Sequence, residues 1–424
     1  MAASVVLNVH SAESREIRGC ASLPKLNLSQ FSSILSYGLF VMMGTHTLTH
    51  SFQYIHTALF PVLKEEFSLG YYELGLIAAI PPLCQTLLSI PAGMLSDKFG
   101  SKRMIVFSML LSCTGSVVAG FTQNVWMLIA AVSLLYLNTT FYHPPSYSYV
   151  TKTIPRGDRS KALGVHGAGG TLGVAIGPIS ISLLVGFLAL EWRQVYLFWF
   201  IPLLIGLFLV LRIKSETHTS EELTKQIDGA DPNNPKPESK SVVSKNMLWF
   251  MIFQSARGMG ASMSAAFFTI YLVESQGWSL GAASLVFGAS SLMGILAAPI
   301  GGYFADKVGE KKWTAINVGI CSLSYGLAFF VPGAIAFAVF YLGYGFFNLL
   351  SMASNSALTA KLSPQRQRGL GFALYFLPSS AMAAVAPMIA AFIANTYGLL
   401  PVFITATAVF MISVPILQFG VKVD

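Results

Sequence analysis

The sequence GMLSDKFGSKR at residues 93–103 returns, with substitutions, as GYFADKVGEKK at residues 302–312. Asp97 and Asp306 hold the same place in these two stretches and lie 209 positions apart. The same offset also pairs Arg159 with Arg368 and Pro178 with Pro387. The chain is therefore built from two copies of one unit, and duplicated apolar chains are typical of transporters whose halves move about a central site.

Composition places both copies in a membrane. Hydrophobic residues make up 54% of the 424 residues and charged residues only 10%, whereas about a quarter of the residues in a soluble domain are charged. A helix needs roughly 20 apolar residues to cross a bilayer, and lipid offers no partner to an unpaired backbone amide. Twelve membrane-spanning helices are predicted, near residues 32–60, 72–95, 103–122, 125–149, 162–188, 193–212, 246–273, 279–304, 313–331, 333–359, 369–394 and 398–420.

The predicted fold is an all-α membrane protein with twelve transmembrane helices in two pseudo-symmetric six-helix bundles. One long hydrophilic stretch falls where the two copies meet, and its Pro, Ser and charged residues are typical of a flexible linker. The predicted segments are an N-terminal tail (1–30), a first bundle (31–213), the linker (214–245), a second bundle (246–420) and a C-terminal end (421–424).

The positions of Lys and Arg predict the orientation of the bundles. With a cytoplasmic N-terminus, nearly all of the 26 Lys and Arg residues lie in cytoplasmic segments, while Lys64 and Arg193 lie on the other side and Arg257 lies within a span. Both termini and the linker are therefore expected in the cytoplasm. The net charge of +8 then reflects membrane topology, and no nucleic-acid partner is expected.

Twelve spans, two homologous halves, a central linker and the repeated G-x-L-x-D-K-x-G-x-K-R loop resemble the major facilitator superfamily. The resemblance implies that the loop aspartates and the basic residues near them lock a cytoplasmic gate by pairing across the two halves. A second interpretation, in which these charges only fix topology, stays open. The expected gating residues are Asp97, Lys102, Arg103, Arg159, Asp306, Lys311 and Arg368.

The fifth span carries a glycine pattern of its own. Gly164, Gly173, Gly177 and Pro178 have the spacing G-x8-G-x3-G-P, which is similar to the antiporter motif of the same superfamily. Small residues at these intervals let two helices approach closely, and Pro178 permits a bend. The pattern favours export, although tight packing without a role in coupling would produce the same spacing.

The spans lack Asp and Glu away from their ends, so a carboxylate is not expected to carry a coupling proton. Instead they contain five histidines and one arginine, and ionisable residues within a membrane usually face an aqueous pathway. Histidine changes charge near physiological pH. His50, His46 and His166 are therefore the expected proton-coupling residues, while His56 and His166 are also suited to tying neighbouring helices together.

The substrate site is predicted from the same residues. His46 and His50 are four positions apart and share a helix face, and the superfamily resemblance implies that spans one, four and seven line a central cavity. Arg257, on the seventh span, offers a charged fork suited to a carboxylate, phosphonate or phosphate. The expected substrate-binding residues are Arg257, His46, His50, His143 and Gln53.

The first and fourth spans also resemble those of one narrower group within the superfamily. The run HTLTHSFQ at residues 46–53, the run PVLKEEF at residues 61–67 and FYHP at residues 141–144 are similar to signatures of the fosmidomycin resistance exporters. That group commonly has an acidic residue where this chain has His50, and another where it has Pro145. The likeness implies a shared architecture and a cavity suited to small polar anions.

We therefore expect an alternating-access secondary transporter of a small organic anion or amphiphilic drug, with proton-coupled export favoured. Its rivals are an uptake permease or anion exchanger on the same fold, and a histidine-lined transporter of a divalent metal. No phosphate-binding Gly-Lys-Ser/Thr loop and no catalytic constellation are evident, so neither an enzyme nor a pump is expected. We expect a monomer in the cytoplasmic membrane, without a cofactor or a structural metal.

Overall fold

The computed structural model describes residues 36–215, 244–362 and 368–423, and within these ranges the chain is helical, without strands. The first half begins with three short helices, α1 (Tyr37–Ser51), α2 (Ile55–Ala58) and α3 (Phe60–Glu66). Five long helices follow: α4 (Tyr71–Phe99), α5 (Ser101–Gly120), α6 (Val125–Thr153), α7 (Arg159–Ile181), which continues as a π-helical turn (Ser182–Phe187), and α8 (Trp192–Leu211).

The second half repeats this order. Its helices are α9 (Lys245–Ile270), α10 (Leu280–Val308), α11 (Glu310–Phe330), α12 (Ala334–Leu350), α13 (Met352–Leu362), α14 (Arg368–Tyr397) and α15 (Leu399–Pro415). Helices α10, α11, α12 and α14 each begin 209 residues after α4, α5, α6 and α7. The offset read from the repeated loop therefore holds along most of each bundle, and the predicted duplication is confirmed.

Gly100 and Gly309 show the same correspondence in backbone conformation. Each separates two helices at the repeated loop, with φ of 80° and 92°. Glycine adopts this left-handed region without the steric cost that a Cβ brings. The repeated loop thus uses glycine for the same tight turn in both halves.

Ten helical segments of the described chain are long and apolar enough to cross a membrane. The two other predicted spans correspond to α1–α3 and to α9, whose sequence includes Gln254, Ser255 and Arg257. Large apolar side chains such as Phe187 and Ile335 face outward, as expected where lipid replaces water around a bundle. The all-α membrane fold with twelve spans in two bundles is confirmed.

Two spans are interrupted. The first span was predicted as one continuous helix, but it breaks at residues 52–54 and again at Leu59. The tenth breaks at Ser351, between α12 and α13. The predicted N-terminal tail and most of the predicted linker lie outside the described residues, so those segment boundaries stay predictions.

The halves meet along two helix pairs, α4 with α14 and α7 with α10. A Cβ on Gly75 would lie 3.2 Å from the carbonyl oxygen of Pro387, and one on Gly288 would lie 2.6 Å from that of Ala175. Glycine therefore lets the helix backbones approach closely. We name the end of the bundle that carries the repeated loops the cassette end, and the opposite end, which carries Lys64 and Glu274, the distal end.

Candidate functional site

The break in the first span places polar groups in the interior of the first half. Helix α1 ends at Ser51, immediately after His50, and the turn that follows contains Gln53. The carbonyl oxygen of Gln53 accepts a hydrogen bond of 2.8 Å from the Tyr136 hydroxyl on α6. The Tyr136 side chain thus pairs with a backbone carbonyl group that has no partner within the helix, as an interrupted span requires.

Four histidines gather beside this break, and we call His46, His50, His143 and His166 the histidine cluster. Nε2 of His143 lies 3.1 Å from Nε2 of His46 and 3.1 Å from Nε2 of His50. The His46 and His166 rings stack with centroids 4.1 Å apart. The imidazoles therefore contact one another across three of the spans, and all four histidines expected at the site are brought together.

The outer partners of the rings fix which nitrogens carry hydrogen. Nδ1 of His46 lies 2.7 Å from the backbone carbonyl oxygen of His166, and Nδ1 of His50 lies 2.9 Å from Oε1 of Gln53. Both oxygens only accept, so both Nδ1 atoms donate and a neutral ring leaves its Nε2 bare. With hydrogen on Nε2 of His143, this single donor would face two bare nitrogens, those of His46 and His50.

Glycines on α7 make room for the cluster and for α1. A Cβ on Gly170 would lie 2.7 Å from the His46 ring. Side chains at Gly173 and Gly177 would collide with the carbonyl oxygens of Thr47 and Ser51, whereas nothing lies within 4 Å of a Cβ on Gly164. Two of the three glycines in the predicted motif therefore pack directly against the interrupted helix.

A cavity of about 260 Å³ lies between the two halves beside the cluster. His50, His143 and Gln53 line it from the first half, while His46 and His166 stand behind this wall. The second half contributes small groups, among them Ser262, Ser379 and Ser380. Of the predicted substrate-binding residues, three thus line the cavity directly and His46 reaches it through His143.

Arg257 has a different environment. Its guanidinium donates to Oδ1 of Asn348 and makes a long contact of 3.4 Å with Oγ of Ser351, at the break in the tenth span. The group also lies 5.8 Å from the centre of the Phe253 ring. Arg257 is not among the residues that line the cavity, so its expected contact with substrate stays a prediction.

The predicted gating residues lie at the cassette end, and two of them, Lys102 and Arg159, contact their own half. Lys102 donates to the carbonyl oxygen of Ile213 at 2.8 Å, and Arg159 donates to that of Ile154 at 3.2 Å. Arg103 and Asp306 are exposed and Lys311 is half-buried. The side chains of Asp97 and Arg368 lie outside the described part of the structure, so the predicted lock across the halves stays a prediction.

At the distal end the halves are joined. Lys64 donates to Glu274 at 2.7 Å, Tyr71 donates to the other oxygen of Glu274 at 3.1 Å, and Thr269 donates to the carbonyl oxygen of Thr57 at 2.7 Å. Each of these bonds connects the first half with the second. The distal end is therefore closed.

Toward the cassette end, helix α4 has one stretch that is exposed on every face. Residues 87–91 are exposed in succession, which covers more than one helical turn, whereas Leu74 and Ile77 nearer the distal end are fully buried. Lipid can account for one face of a packed helix, but not for every face. The exposure is the pattern expected of a cleft that opens at the cassette end.

A second ion pair stabilises the distal end within the first half. Glu66 binds Arg193 at 2.5 Å and also accepts from the Trp192 indole. Partial burial opposes ionisation of Glu66, but the hydrogen bonds from Arg193 and Trp192 outweigh it and hold the pKa of the carboxyl below its ordinary value. Both basic residues that the sequence places at this end are therefore paired with glutamates.

Sequence reasoning missed the cavity's serines and Tyr136. Ser262 lies five positions after Arg257, and Ser379 and Ser380 follow Pro378 in the eleventh span. Small polar residues beside a helix-bending proline are a weak signal that could have located this wall. Tyr136 carried no comparable signal, because its role depends on a break that occurs 83 positions earlier.

Two interlocked helical halves with a polar cavity between them define the architecture of a membrane transporter. A model of the Major Facilitator Superfamily matches residues 39–351 and again residues 250–423. The chain belongs to this superfamily, which is a class of transporters and not of enzymes. It is accordingly a multi-pass membrane protein.

Individual relatives narrow the likeness. The fosmidomycin resistance protein of Escherichia coli (strain K12) is 25% identical over 63% of this chain and 64% of its own length. The nitrite extrusion protein of Bacillus subtilis (strain 168) is 25% identical over 58% of this chain and 59% of its own length. The chain thus matches somewhat less than two thirds of either relative, and the expected resemblance to the fosmidomycin resistance group is confirmed.

A solved structure agrees with the fold along most of the chain. A bacterial homologue of the human lysosomal transporter Spinster, in an inward-facing and occupied conformation, superimposes with a TM-score of 0.75. The match covers 91% of this chain and 96% of the other, at 15% sequence identity. At this identity the comparison establishes the fold alone.

Proposed function

We propose that this protein is an alternating-access secondary active transporter that exports a small organic anion or amphiphilic drug in exchange for protons. The observation that carries the proposal is the polar cavity between the halves, whose wall at His50 and His143 belongs to a proton-accepting histidine cluster. The cassette end, where basic residues concentrate, is assigned to the cytoplasm. With the distal end closed, the cavity then faces the cytoplasm, the side from which an exporter loads.

The cluster supports proton coupling because its chemistry needs no carboxylate. A bare Nε2 beside His143 accepts a proton, and the resulting imidazolium attracts an anion in the cavity. Binding of the anion and of the proton then strengthen each other, since coupling between two sites is reciprocal. Anion affinity is accordingly expected to rise as pH falls. Arg257 supplies a second positive charge, because the partners described for it are neutral.

Export is supported by the names of two relatives, a fosmidomycin resistance protein and a nitrite extrusion protein. Proton-coupled uptake on the same fold is the second candidate, and the contact of His50 with His143 at the cavity wall favours it. A bound proton that strengthens anion binding favours movement of the proton and the anion in the same direction. Exchange instead requires that the proton and the anion occupy the site in turn. The direction of flux under an imposed pH gradient distinguishes the two.

The test uses purified protein in liposomes with a pH gradient, and follows the flux of radiolabelled methylphosphonate. Exchange predicts flux opposite to the proton gradient, and cotransport predicts flux along it. We expect His50→Ala to flatten the pH dependence of flux, while Met259→Ala, the position 209 residues later, leaves it intact. An unaltered pH profile in His50→Ala would move the coupling role to His46 or His143.

The metal alternative rests on one geometric observation. One ring nitrogen each from His46, His50 and His143 lies within 4.8 Å of the others, and imidazole suits Zn²⁺, Cu²⁺ and Ni²⁺. No carboxylate or thiolate joins this group among the described residues. Metal flux in the same liposomes, unaffected by organic anions, would replace the anion proposal with this one.

A further inference from the structure

One histidine at the cavity stands apart from the cluster. His56 lies on α2, just beyond the break in the first span, and it is among the residues that line the cavity. Its side chain is 1% exposed, and neither Nδ1 nor Nε2 has a hydrogen-bond partner. A neutral imidazole has one hydrogen to donate and one lone pair to fill, so both capacities are unmet.

The surroundings of His56 explain its position but not its chemistry. Its ring meets Phe60 and Tyr136 edge to face, with centroids 6.1 Å and 5.7 Å away. The Tyr136 hydroxyl is already committed to the carbonyl oxygen of Gln53. These aromatic contacts pack the ring but leave both of its nitrogens without a hydrogen-bond partner.

The contrast with the cluster is informative. Each cluster histidine has a ring nitrogen within 3.3 Å of a named partner, the longest being the contact between His166 and Ser146. Nearly all buried polar groups in proteins are paired, and an exception on a cavity wall calls for a role. Leaving both nitrogens unpaired weakens the unliganded protein, as is common where a site is built for a ligand.

We propose that His56 is a substrate-contacting residue and that the substrate carries two polar groups. An acidic group lies against the cluster face at His50 and His143, and a hydroxyl, amide or carbonyl group reaches His56. This inference rests on the proposed function, that a small anion occupies this cavity. Contact requires the His56 ring to turn, a rotamer change of the kind that often accompanies binding.

The size and lining of the cavity fit such a molecule. Its volume of about 260 Å³ lies just below the range of about 300–1,000 Å³ that is usual for small-molecule sites. Gln53 and Tyr54 lie between His50 and His56 in the sequence and also line the cavity. A compact molecule with an acid at one end and a hydrogen-bonding group at the other would engage both kinds of histidine.

The experiment compares two pairs of probes that differ by one hydroxyl: ethylphosphonate with 2-hydroxyethylphosphonate, and propionate with 3-hydroxypropionate. Binding to the purified full chain is measured by calorimetry and by thermal stabilisation. We expect the wild type to bind the hydroxylated member of at least one pair about five- to tenfold more tightly, the contribution of one hydrogen bond. His56→Phe should reduce that ratio to about one, because the loss falls on the hydroxylated member of the pair.

Two further variants and a control complete the design. His56→Gln keeps a donor and an acceptor and should retain part of the preference, and His56→Leu replaces His56→Phe if the latter does not fold. Tyr196→Phe removes another buried, unpaired polar atom at a position that does not line the cavity, and should leave the ratio as in the wild type. Unliganded His56→Phe should be at least as thermostable as the wild type.

The outcomes separate the two proposals. Equal affinity of the wild type for both members of each pair, or a ratio that survives His56→Phe, overturns the inference and leaves an anion site in place. Failure of all four probes to bind the wild type overturns the anion proposal, and the inference with it. A ratio lost in His56→Phe and partly kept in His56→Gln supports both.

Discussion

The first and tenth spans are both interrupted, and the two breaks are used in different ways. In the first, the carbonyl oxygen of Gln53 accepts from Tyr136, and His50 and Gln53 face the cavity. In the tenth, the Leu350 carbonyl oxygen accepts from the Trp313 indole at 3.2 Å. Arg257 then occupies the polar groups beside that second break.

The difference shows that the two duplicated halves carry different polar groups beside their breaks. Interrupted helices expose polar groups at the centre of many transporters, and here one break opens on a cavity while the other is filled by the protein's own cation. The residues 209 positions after His50 and His143 are Met259 and Met352. The first half therefore carries the histidines beside its break, and the second carries a fixed charge that contacts Asn348 and Ser351.

The largest effect is expected from disturbing the helix that supports the first break. In Gly177→Ala the new methyl group would collide with the Ser51 carbonyl oxygen, and the backbones of α1 and α7 must separate. We expect a loss of about 3 kcal/mol, near the upper end of overpacking effects, seen as a lower unfolding temperature in detergent. Gly164→Ala, where a Cβ meets nothing within 4 Å, is the control and should be neutral or slightly stabilising. Equal effects of the two changes would contradict the packing that we describe.

A smaller effect is expected at the second break. Arg257→Ala leaves Asn348 without its donor and removes the contact with Phe253, so a loss of about 1–3 kcal/mol in stability is expected, measured in the same way. If Arg257 also binds substrate, anion affinity falls too, and Asn348→Ala should raise it by freeing the guanidinium. Arg257→Lys keeps the charge but loses the fork, and serves as the matched variant. Unchanged affinity in both Arg257→Ala and Asn348→Ala would confine Arg257 to a structural role.

The smallest loss of stability is expected from removing the hydrogen-bond donor at each break, and the two removals should differ in their effect on ligand affinity. Tyr136→Phe removes the donor to the Gln53 carbonyl oxygen and should cost about 1 kcal/mol. Because Tyr136 and Gln53 line the cavity, ligand affinity should change as well. Trp313→Phe removes the corresponding donor at the tenth span, and should alter the unfolding temperature without altering binding. An effect of Trp313→Phe on ligand affinity would show that both breaks communicate with the cavity.

Much of the fold was predictable because the same sequence pattern occurs twice in the chain. The repeated loop and its 209-residue offset identify the duplication, and apolar runs of membrane length identify the spans. The histidines were predictable as site candidates because ionisable residues are rare in spans. The superfamily resemblance implied that helices one and four share a cavity, but the contacts of His46 and His50 with His143 are seen only in the structure.

The breaks and the environment of Arg257 were not predictable in the same way. Residues 51–54 contain neither Gly nor Pro, so the sequence gives no local reason for the first span to bend there. The interruption is compensated by Tyr136, a contact across 83 positions. Arg257 likewise finds Asn348 across 91 positions. Such pairings depend on tertiary packing and have no periodic signature.

The histidine cluster also determines how voltage would act on the transport cycle. No carboxylate away from the span ends balances the charge of a protonated cluster. Protonation would therefore give the protein one uncompensated positive charge during its change of conformation. Exchange of a monoanion for a proton would carry one negative charge out and one positive charge in. Each step is then favoured by an inside-negative potential, by about 2.3 kcal/mol per charge for every 100 mV. Cotransport of the same pair moves no net charge, so an exporter built on this cluster would be electrogenic and an importer electrically silent.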